Sequence, residues 1–564
     1  MFLRRFARIE TAAWCWGLSL LTWHAAQAAP RDLSAGFAAI STNSLLTTTA
    51  TLGSDYFEGR GPGTRGEERT TAWLVERFKN LGLKPGGTGG SWFQEVPMVG
   101  MKSTTALSFH QGAQTEALTY PQDFVSWSPV QKDSISVHGA ELVFVGYGVA
   151  APEYGWDDYK GVDVRGKILV MLINDPPVPD PKDATRLDDS MFRGKAMTYY
   201  GRWTYKYEIA AAKGAAGALI IHETKPAAYP WFVVVNSWGR ERFDLEGSKE
   251  QQVKVAGWLS LERSQKLFAS TGTTYEAAKA LALRKDFKPV SLGVTADFDV
   301  TNTVRHVRSK NVMARLDGSD RKASSEWVVV TAHWDHLGMD ASLPGDKIYN
   351  GAADNAIGTA GLVELATAFT KLPKAPRRTL LFAAVTGEEQ GLLGAKYYAE
   401  HPLHPLERTV AAINMDGLNT WGATSDVAIV GYGNSTLDDR VREAAVKQSR
   451  TVKPENTPEK GIFYRSDHFE FAKVGVPALY LKAGRDYVGR PEDYGTRKAD
   501  EYTDRDYHKV SDEVKPDWDL TGAVQDLRLL LEVTDTVANT PSWPEWSPGT
   551  EFKARRDAML KPLR

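Results

Sequence analysis

Short apolar runs alternate with helical patterns from about residue 291 to residue 540. The runs are of strand length and lie at 327–331, 380–385, 409–413, 427–430 and 478–481. Between them, the spacing of apolar residues predicts helices over 358–369 and 438–448. Apolar strands that alternate with helices are typical of a mostly parallel sheet with helices on both faces. The pattern therefore predicts an α/β fold for this region.

The residues before this region have a different character. Helical spacing over 66–81 follows a glycine-rich turn, and alternating β-like patterns continue to about residue 130. Beyond them, strand-like runs are set among many aromatic residues. We therefore expect four parts after residue 28: an N-terminal part at 29–135, an insert at 136–290, the main domain at 291–540 and a C-terminal tail at 541–564.

The first 28 residues have the pattern of a Sec-type signal peptide. Basic residues at 4–8 precede an apolar run at 11–23, and an Ala-Gln-Ala cleavage pattern ends at Ala28. The apolar run is shorter than the roughly 20 residues that a membrane span needs. We therefore expect cleavage after Ala28, a periplasmic or secreted protein, and no stable membrane span.

Composition narrows the classes of function. A chain of 564 residues is too long for one compact core, so two or more domains are expected. The formal charge of -2, with interleaved signs, provides no basic stripe for nucleic acid. The single cysteine, Cys15, lies in the signal-like segment, so metal ligands in the mature chain must be His and carboxylate. Composition leaves the oligomeric state open.

Polar residues follow the apolar runs, at the position where an open α/β sheet presents its ligands. They are His333, Asp335, His336, Asp354, Glu388, Glu389, Asp416 and His508. Two divalent ions that share a bridging carboxylate can hold a water and a scissile carbonyl together. The inventory supplies a bridge in Asp354, imidazoles in His333 and His508, and outer carboxylates in Glu389 and Asp416. It predicts a hydrolytic dinuclear metal site.

Three other features refine this site. Glu388, which the ligand set leaves over, has the position of a general base beside the ligand Glu389. The Asp335 carboxylate is expected to accept the second imidazole N–H of His333 and to orient its ring. Three further histidines are not expected to bind metal: His336, His401 and His404.

Six ordered motifs carry a resemblance to a known family. They are AHWDHLG, GAADNAIG, GEEQGLLGA, NMDG, YRSDHFEFAKVGVPAL and YHKVSDE. Together they resemble the dinuclear-zinc aminopeptidases, relatives of glutamate carboxypeptidase II and the transferrin receptor. The segment SDYFEGRGPGTRGEE is similar to the start of that family's peptidase domain. The resemblance implies a zinc exopeptidase-like fold, with 136–290 as an inserted, β-rich protease-associated domain.

The resemblance also implies a role for each site residue. His333 and Asp416 correspond to the ligands of one zinc, and Glu389 and His508 to those of the other. Two Zn²⁺ per chain are implied, with Co²⁺ or Mn²⁺ as substitutes. Asp354 corresponds to the bridging ligand, which in the family commonly precedes a cis peptide. Glu388 corresponds to the general base and Asp335 to a residue that orients a ligand. Tyr464 corresponds to the tyrosine that polarises the substrate carbonyl. Tyr507 holds the corresponding place in the carboxypeptidase branch, so the choice of tyrosine stays open.

These features favour an exported zinc-dependent exopeptidase acting on peptides, and an aminopeptidase before other kinds. A glutamate-type carboxypeptidase is the first alternative, with Arg465, Arg485 and Arg490 as candidates to hold a free carboxylate. An inactive, receptor-like binding protein is the second alternative, and glutaminyl cyclisation at a one-zinc site is a weaker one. The role of the insert is open, although Trp203, Tyr205 and Tyr207 are candidates to line the substrate cleft.

Overall fold

The computed structural model of the chain describes residues 31–561. The signal-like segment, its cleavage point after Ala28, and Cys15 lie outside these residues. Within the described part, no helix is both long enough and apolar enough to cross a membrane.

The strands form two groups along the chain. The earlier strands are β1 Lys84–Pro85, β2 Phe93–Gln111, β3 Gln114–Ala117, β4 Phe124–Trp127, β5 Ser134–Phe144, β6 Ala150–Ala151, β7 Trp156–Asp157, β8 Ile168–Leu172, β9 Pro179–Asp180, β10 Asp183–Leu187, β11 Gly217–Ile221, β12 Arg242–Leu245 and β13 Val255–Leu259. The later strands are β14 Val290–Leu316, β15 Trp327–His333, β16 Gly338–Met339, β17 Ile348–Tyr349, β18 Thr379–Val385, β19 Thr409–Asn414, β20 Asp426–Ile429, β21 Thr451–Pro454 and β22 Ala478–Ala483.

The α-helices lie mostly between the later strands and at the ends of the described chain. They are α1 Ser34–Ala39, α2 Thr42–Leu52, α3 Arg65–Asn80, α4 Trp203–Ala212, α5 Thr224–Ala227, α6 Trp231–Trp238, α7 Leu261–Ser270, α8 Tyr275–Leu281, α9 Ile357–Lys371, α10 Leu393–Glu400, α11 Leu437–Lys447, α12 His468–Lys473, α13 Tyr494–Arg505, α14 Thr521–Asn539 and α15 Lys553–Leu560.

One sheet runs through both groups of strands, in the order β21-β20-β22-β19-β15-β18-β14-β5-β8-β11-β13-β4. The neighbours β22, β19, β15 and β18 are parallel, and so are β5, β8, β11 and β13. The long strand β14 joins the two parallel sets, because residues 312–316 pair with β18 and residues 290–301 pair with β5. The predicted fold class, an α/β fold with a mixed, mostly parallel sheet, is confirmed.

The packing of β15 explains why the later strands appear in the sequence as continuous apolar runs. Val328 and Val330 contribute to a core with α9 and α14, whereas Val329 contributes to a second core with α10 and α12. A strand covered by helices on both faces buries every side chain, so its sequence shows no polar alternation. The sheet of the 136–290 region is likewise covered on both faces by separate apolar clusters.

Candidate metal centre

His333 and Asp416 meet at one edge of the sheet. His333 is the last residue of β15, and Asp416 follows the end of the parallel neighbour β19. The carboxyl ends of parallel strands lie at the same sheet edge, and Nε2 of His333 lies 3.7 Å from Oδ1 of Asp416. The Tyr480 hydroxyl and the Lys482 ammonium donate to the Asp416 carbonyl, at 2.8 and 2.6 Å. These two bonds hold the residue in place.

Asp354 stands between the two imidazoles of the site. Its Oδ1 lies 3.4 Å from Nε2 of His333, and its Oδ2 lies 3.3 Å from Nε2 of His508. It belongs to a single π-helical turn, Ala352–Ala356, that leads into α9. The Asp354–Asn355 peptide bond is cis, as the resemblance implied. One carboxylate oxygen faces each histidine, which is the arrangement that a bridging ligand requires.

Two buried groups outside the ligand set support the bridge. The Asp512 carboxylate accepts the main-chain N–H groups of Ala353 and Asp354, at 3.0 and 3.1 Å. The Arg60 guanidinium, 1% exposed, donates to four carbonyl groups. They belong to Trp334, Leu52, Asn350 and Gly351, at distances between 2.6 and 2.8 Å. Arg60 therefore ties the end of the His333 strand to the turn before Asp354.

Glu388 and Glu389 lie in a short 3₁₀ turn just after β18. Gly387 begins this turn at φ 65°, a conformation that favours glycine. Oε2 of Glu389 lies 3.0 Å from Nε2 of His508, so it faces the same space as Asp354. Glu388 lines the cleft beside Glu389 and His508. The adjacent glutamates thus separate into one member of the ligand cluster and one free carboxylate.

Asp335 supports the site differently from the prediction. Its main-chain carbonyl, not its carboxylate, is the nearer acceptor for Nδ1 of His333, at 3.2 Å against 3.8 Å. The carboxylate instead accepts the main-chain N–H of Glu388 at 3.2 Å. The reason is geometric, since the Asp335 side chain reaches the turn that follows β18. Burial raises the pKa of Asp335 to about 7.

His336 belongs to the cluster, although the sequence did not indicate it as a ligand. Its Nδ1 lies 2.6 Å from Oε1 of Glu389, and its donor atoms form a possible metal-binding group with Asp354 and Glu389. His508 approaches the other Glu389 oxygen. Glu389 is therefore held between two imidazoles, one on each carboxylate oxygen.

The electrostatics of the cluster follow from burial and from mutual charge. Burial lowers the pKa of His333. The charge of Glu388 and the hydrogen bonds to Asp354 and Asp416 have the larger combined effect, so they hold the pKa of His333 well above its usual value. Burial raises the pKa of Asp354, but His333 and His508 outweigh it and hold that pKa well below its usual range. Burial, with the charges of Asp416 and Glu389, raises the pKa of Glu388 well above that of an ordinary glutamate.

The donor set fits divalent metal. The Nε2 atoms of His333, His336 and His508 are buried and have no hydrogen-bond partner in the described part of the chain. Buried polar atoms without partners are rare and need an explanation. Here they face carboxylates in two groups that share Asp354. Imidazole and carboxylate donors suit zinc, with no need for a thiolate.

The two candidate tyrosines lie in different surroundings. Burial raises the pKa of both, and the charges that act most on Tyr464 are those of Glu551, Arg193 and Asp175. The charges that act most on Tyr507 are those of Asp354 and Glu389. The Tyr507 ring also lies 4.0 Å, between centroids, from the His508 ring. Tyr507 is thus the tyrosine that the metal-site carboxylates influence.

A cleft of about 250 Å³ opens beside the cluster, between the main domain and the 136–290 region. Glu388, Glu389 and His508 are among its lining residues. The lining also includes two of the aromatic residues considered from the sequence, Trp203 and Tyr207, whereas Tyr205 belongs to an apolar core. The cleft therefore joins the Glu388 carboxylate to residues from both regions of the chain.

The structure brings together all five predicted ligands and the two neighbouring acids: His333, Asp335, Asp354, Glu388, Glu389, Asp416 and His508. Sequence reasoning missed the supporting roles of Arg60 and Asp512. Arg60 lies in the quoted glycine-rich segment and Asp512 in the quoted YHKVSDE motif, so a signal existed for both.

Part of the chain is similar in sequence to known proteins. Residues 311–531 match the model of Peptidase family M28. A probable zinc metalloprotease of Leptosphaeria maculans is 42% identical over 232 residues, which cover 35% of this chain and 52% of that protein. A vacuolar membrane protease of Pyrenophora tritici-repentis is 27% identical over 169 residues, covering 30% of this chain and 16% of that protein. The chain therefore spans about half or less of these relatives.

The fold has a counterpart among solved structures. The aminopeptidase from Aneurinibacillus sp. strain AM-1 superposes with a TM-score of 0.53 at 18% identity, over 92% of this chain and 99% of that one. This likeness shows a shared fold. With the match of residues 311–531 to the model of Peptidase family M28, it confirms the predicted resemblance to the dinuclear-zinc aminopeptidases.

Proposed function

We propose that this protein is a zinc-dependent exopeptidase that binds two zinc ions around Asp354. The single observation that carries the proposal is the position of Asp354, with one carboxylate oxygen toward His333 and the other toward His508. His333 and Asp416 would hold one ion, and Glu389 and His508 the other. The relative named as a probable zinc metalloprotease supports the choice of metal.

Zinc bound there would act as a Lewis acid on the scissile carbonyl and would lower the pKa of a water. The protein groups perform the proton transfers. Glu388 takes a proton from the attacking water and delivers it to the leaving amine. Its raised pKa suits a group that must both accept and donate that proton. Asp335 holds the Glu388 main chain in position for this role.

Tyr507 is our candidate for the hydroxyl that stabilises the developing oxyanion. Its ring lies against the ring of the proposed ligand His508, and the carboxylates of the proposed metal site act on it more than on Tyr464. The Tyr464 hydroxyl faces Glu551 and Arg193 instead. We therefore assign Tyr464 a structural role in the wall of the cleft.

A carboxypeptidase activity is the second candidate, and one observation favours it. Three arginines line the cleft, and their Nε atoms have no hydrogen-bond partner in residues 31–561: Arg202 and Arg242, which are buried, and Arg465, which is half-buried. Burial and the neighbouring charge of Arg465 lower the pKa of Arg202 to about 10. An anionic substrate group would relieve this repulsion, and a carboxylate suits the geometry of guanidinium. Of the arginines considered from the sequence, only Arg465 lines this cleft.

The test is a comparison of blocked and free substrates, with and without chelator. Aminoacyl p-nitroanilides and their N-acetylated forms test for an aminopeptidase. An N-acetylated dipeptide and its C-terminal amide test for a carboxypeptidase. Chelator-sensitive cleavage of the free-amine p-nitroanilides alone supports the aminopeptidase. Cleavage of the blocked dipeptide, but not of its amide, supports the carboxypeptidase, and no cleavage by the zinc-loaded protein contradicts both.

Export and domain organisation complete the proposal. The pattern at 1–28 supports a protein that is periplasmic or secreted after cleavage. The separate apolar clusters on the two faces of the sheet in 136–290 support an inserted domain that contributes one wall of the cleft.

A further inference from the structure

The metal-ligand candidate His508 is held by a helix from the 136–290 insert. The Ser237 hydroxyl lies 2.9 Å from Nδ1 of His508, and the Asn236 side-chain amide donates to the His508 carbonyl at 3.0 Å. Ser237 and Asn236 are adjacent in α6. One short helix therefore contacts both the ring and the main chain of His508.

The residues on either side of His508 contact the insert as well. The Lys509 ammonium lies 3.8 Å from the centroid of the Phe232 ring, which is also on α6. Tyr507 packs against an apolar cluster of the insert that includes Trp238. Three consecutive residues are thus docked on the same element and its surroundings.

His508 needs such support, because its own backbone provides little. It lies between the end of α13 at Arg505 and the start of α14 at Thr521, outside any helix or strand. Its φ is 56°, in the left-handed region that side chains other than glycine adopt at a cost. External contacts must therefore hold the main chain and the ring in their observed orientation.

The contact with Ser237 is compatible with the form of the ring that binds metal. When Nδ1 carries the proton and donates to the Ser237 oxygen, Nε2 has a free electron pair directed at Asp354 and Glu389. A partner on the far nitrogen of a ligating histidine holds the orientation of its ring. Ser237 contacts that nitrogen directly, whereas Asn236 acts through the main chain.

We propose that Ser237 and Asn236 are positioning residues of the metal centre, so that the insert completes the site on the His508 side. This inference rests on the proposed role of His508 as a zinc ligand. The two regions then form one functional unit, because the site on the His508 side requires the docked α6. The site formed by His333 and Asp416 does not depend on α6.

Zinc titration of the full chain tests this inference without any peptide substrate. Metal-free wild-type protein and its Ser237→Ala variant are titrated calorimetrically. We expect the variant to bind one equivalent as the wild type does and the other about 10- to 100-fold more weakly, the usual cost of losing such a partner. The absorption of the Co²⁺-loaded variant should change for the same single equivalent.

Matched variants exclude a general effect of losing a buried hydroxyl. Ser264 is also buried in the insert, but its hydroxyl donates to the Ser260 carbonyl and not to a candidate metal ligand. Ser264→Ala should bind both equivalents like the wild type. Ser237→Thr keeps the hydroxyl and should also bind both. Asn236→Ala should weaken the same single equivalent as Ser237→Ala.

Four outcomes would overturn the inference. They are unchanged binding by Ser237→Ala, an equal loss of both equivalents, the same loss in Ser264→Ala, and a loss in Ser237→Thr equal to that in Ser237→Ala. A wild-type protein that binds no zinc would overturn the proposed metal centre as well. A wild-type protein that binds two zinc ions but cleaves no peptide would contradict the exopeptidase proposal alone.

Discussion

Oδ2 of Asp354 lies 3.3 Å from Nε2 of His508. The other oxygen of the same carboxylate faces His333 at 3.4 Å. One side chain at the beginning of α9 thus joins a histidine at a strand end to a histidine in a loop far along the chain. The rest of the site is arranged around this carboxylate.

Asp354→Asn should remove most bound zinc. The amide keeps the shape of the side chain but loses the charge that two cations would share, so both equivalents are expected to weaken. Metal content after gel filtration, measured by plasma mass spectrometry, provides the readout. Asp526→Asn is the matched control, because Asp526 is another buried carboxylate but pairs with Arg450 at 2.7 Å. Full zinc content in Asp354→Asn would rule out a bridging role.

Tyr507→Phe should lower kcat about 10²- to 10³-fold, the usual effect of removing one oxyanion donor. Tyr464→Phe should leave kcat near the wild-type value, because the charges around Tyr464 belong to Glu551 and Arg193. Steady-state kinetics on one substrate, with metal content held equal, compares the two variants. The opposite result would restore Tyr464 to the role that the sequence motif suggested.

Arg60→Lys should lower the free energy of unfolding by about 3 kcal/mol, because lysine cannot replace the four hydrogen bonds of the buried guanidinium. Urea unfolding of the metal-free protein measures this change separately from metal binding. Arg65→Lys is the control, because Arg65 is exposed and lies in the same segment. Equal stability of the Arg60→Lys and wild-type proteins would show that the four hydrogen bonds of Arg60 contribute little to the free energy of unfolding.

The strand ends that carry the candidate ligands were predictable from sequence, because buried parallel strands appear as continuous apolar runs with polar residues after them. The runs at 327–331, 380–385 and 409–413 appear as β15, β18 and β19, each longer by one or two residues. A polar residue just beyond such a run lies at the ligand-bearing edge of the sheet. That rule located His333, Glu389 and Asp416.

Contacts between distant segments were not predictable in the same way. The bond from Ser237 to His508 depends on how the insert docks, and no local pattern encodes that docking. His336 follows the same strand end as His333, and only the folded structure shows that it approaches Glu389. The surroundings of Tyr464, which include Glu551 and Arg193, also depend on contacts between distant segments, so the sequence motif left the choice between Tyr464 and Tyr507 open.

We expect the Glu388 carboxylate to transfer the protons of peptide hydrolysis beside an intact metal site. The most direct test is Glu388→Gln, assayed for zinc content and for cleavage of the best substrate among the blocked and free peptides. We expect wild-type zinc content and a rate at least about 100-fold lower, the low end for general acid–base catalysis. A fully active, zinc-loaded variant would show that Glu388 is not the general base.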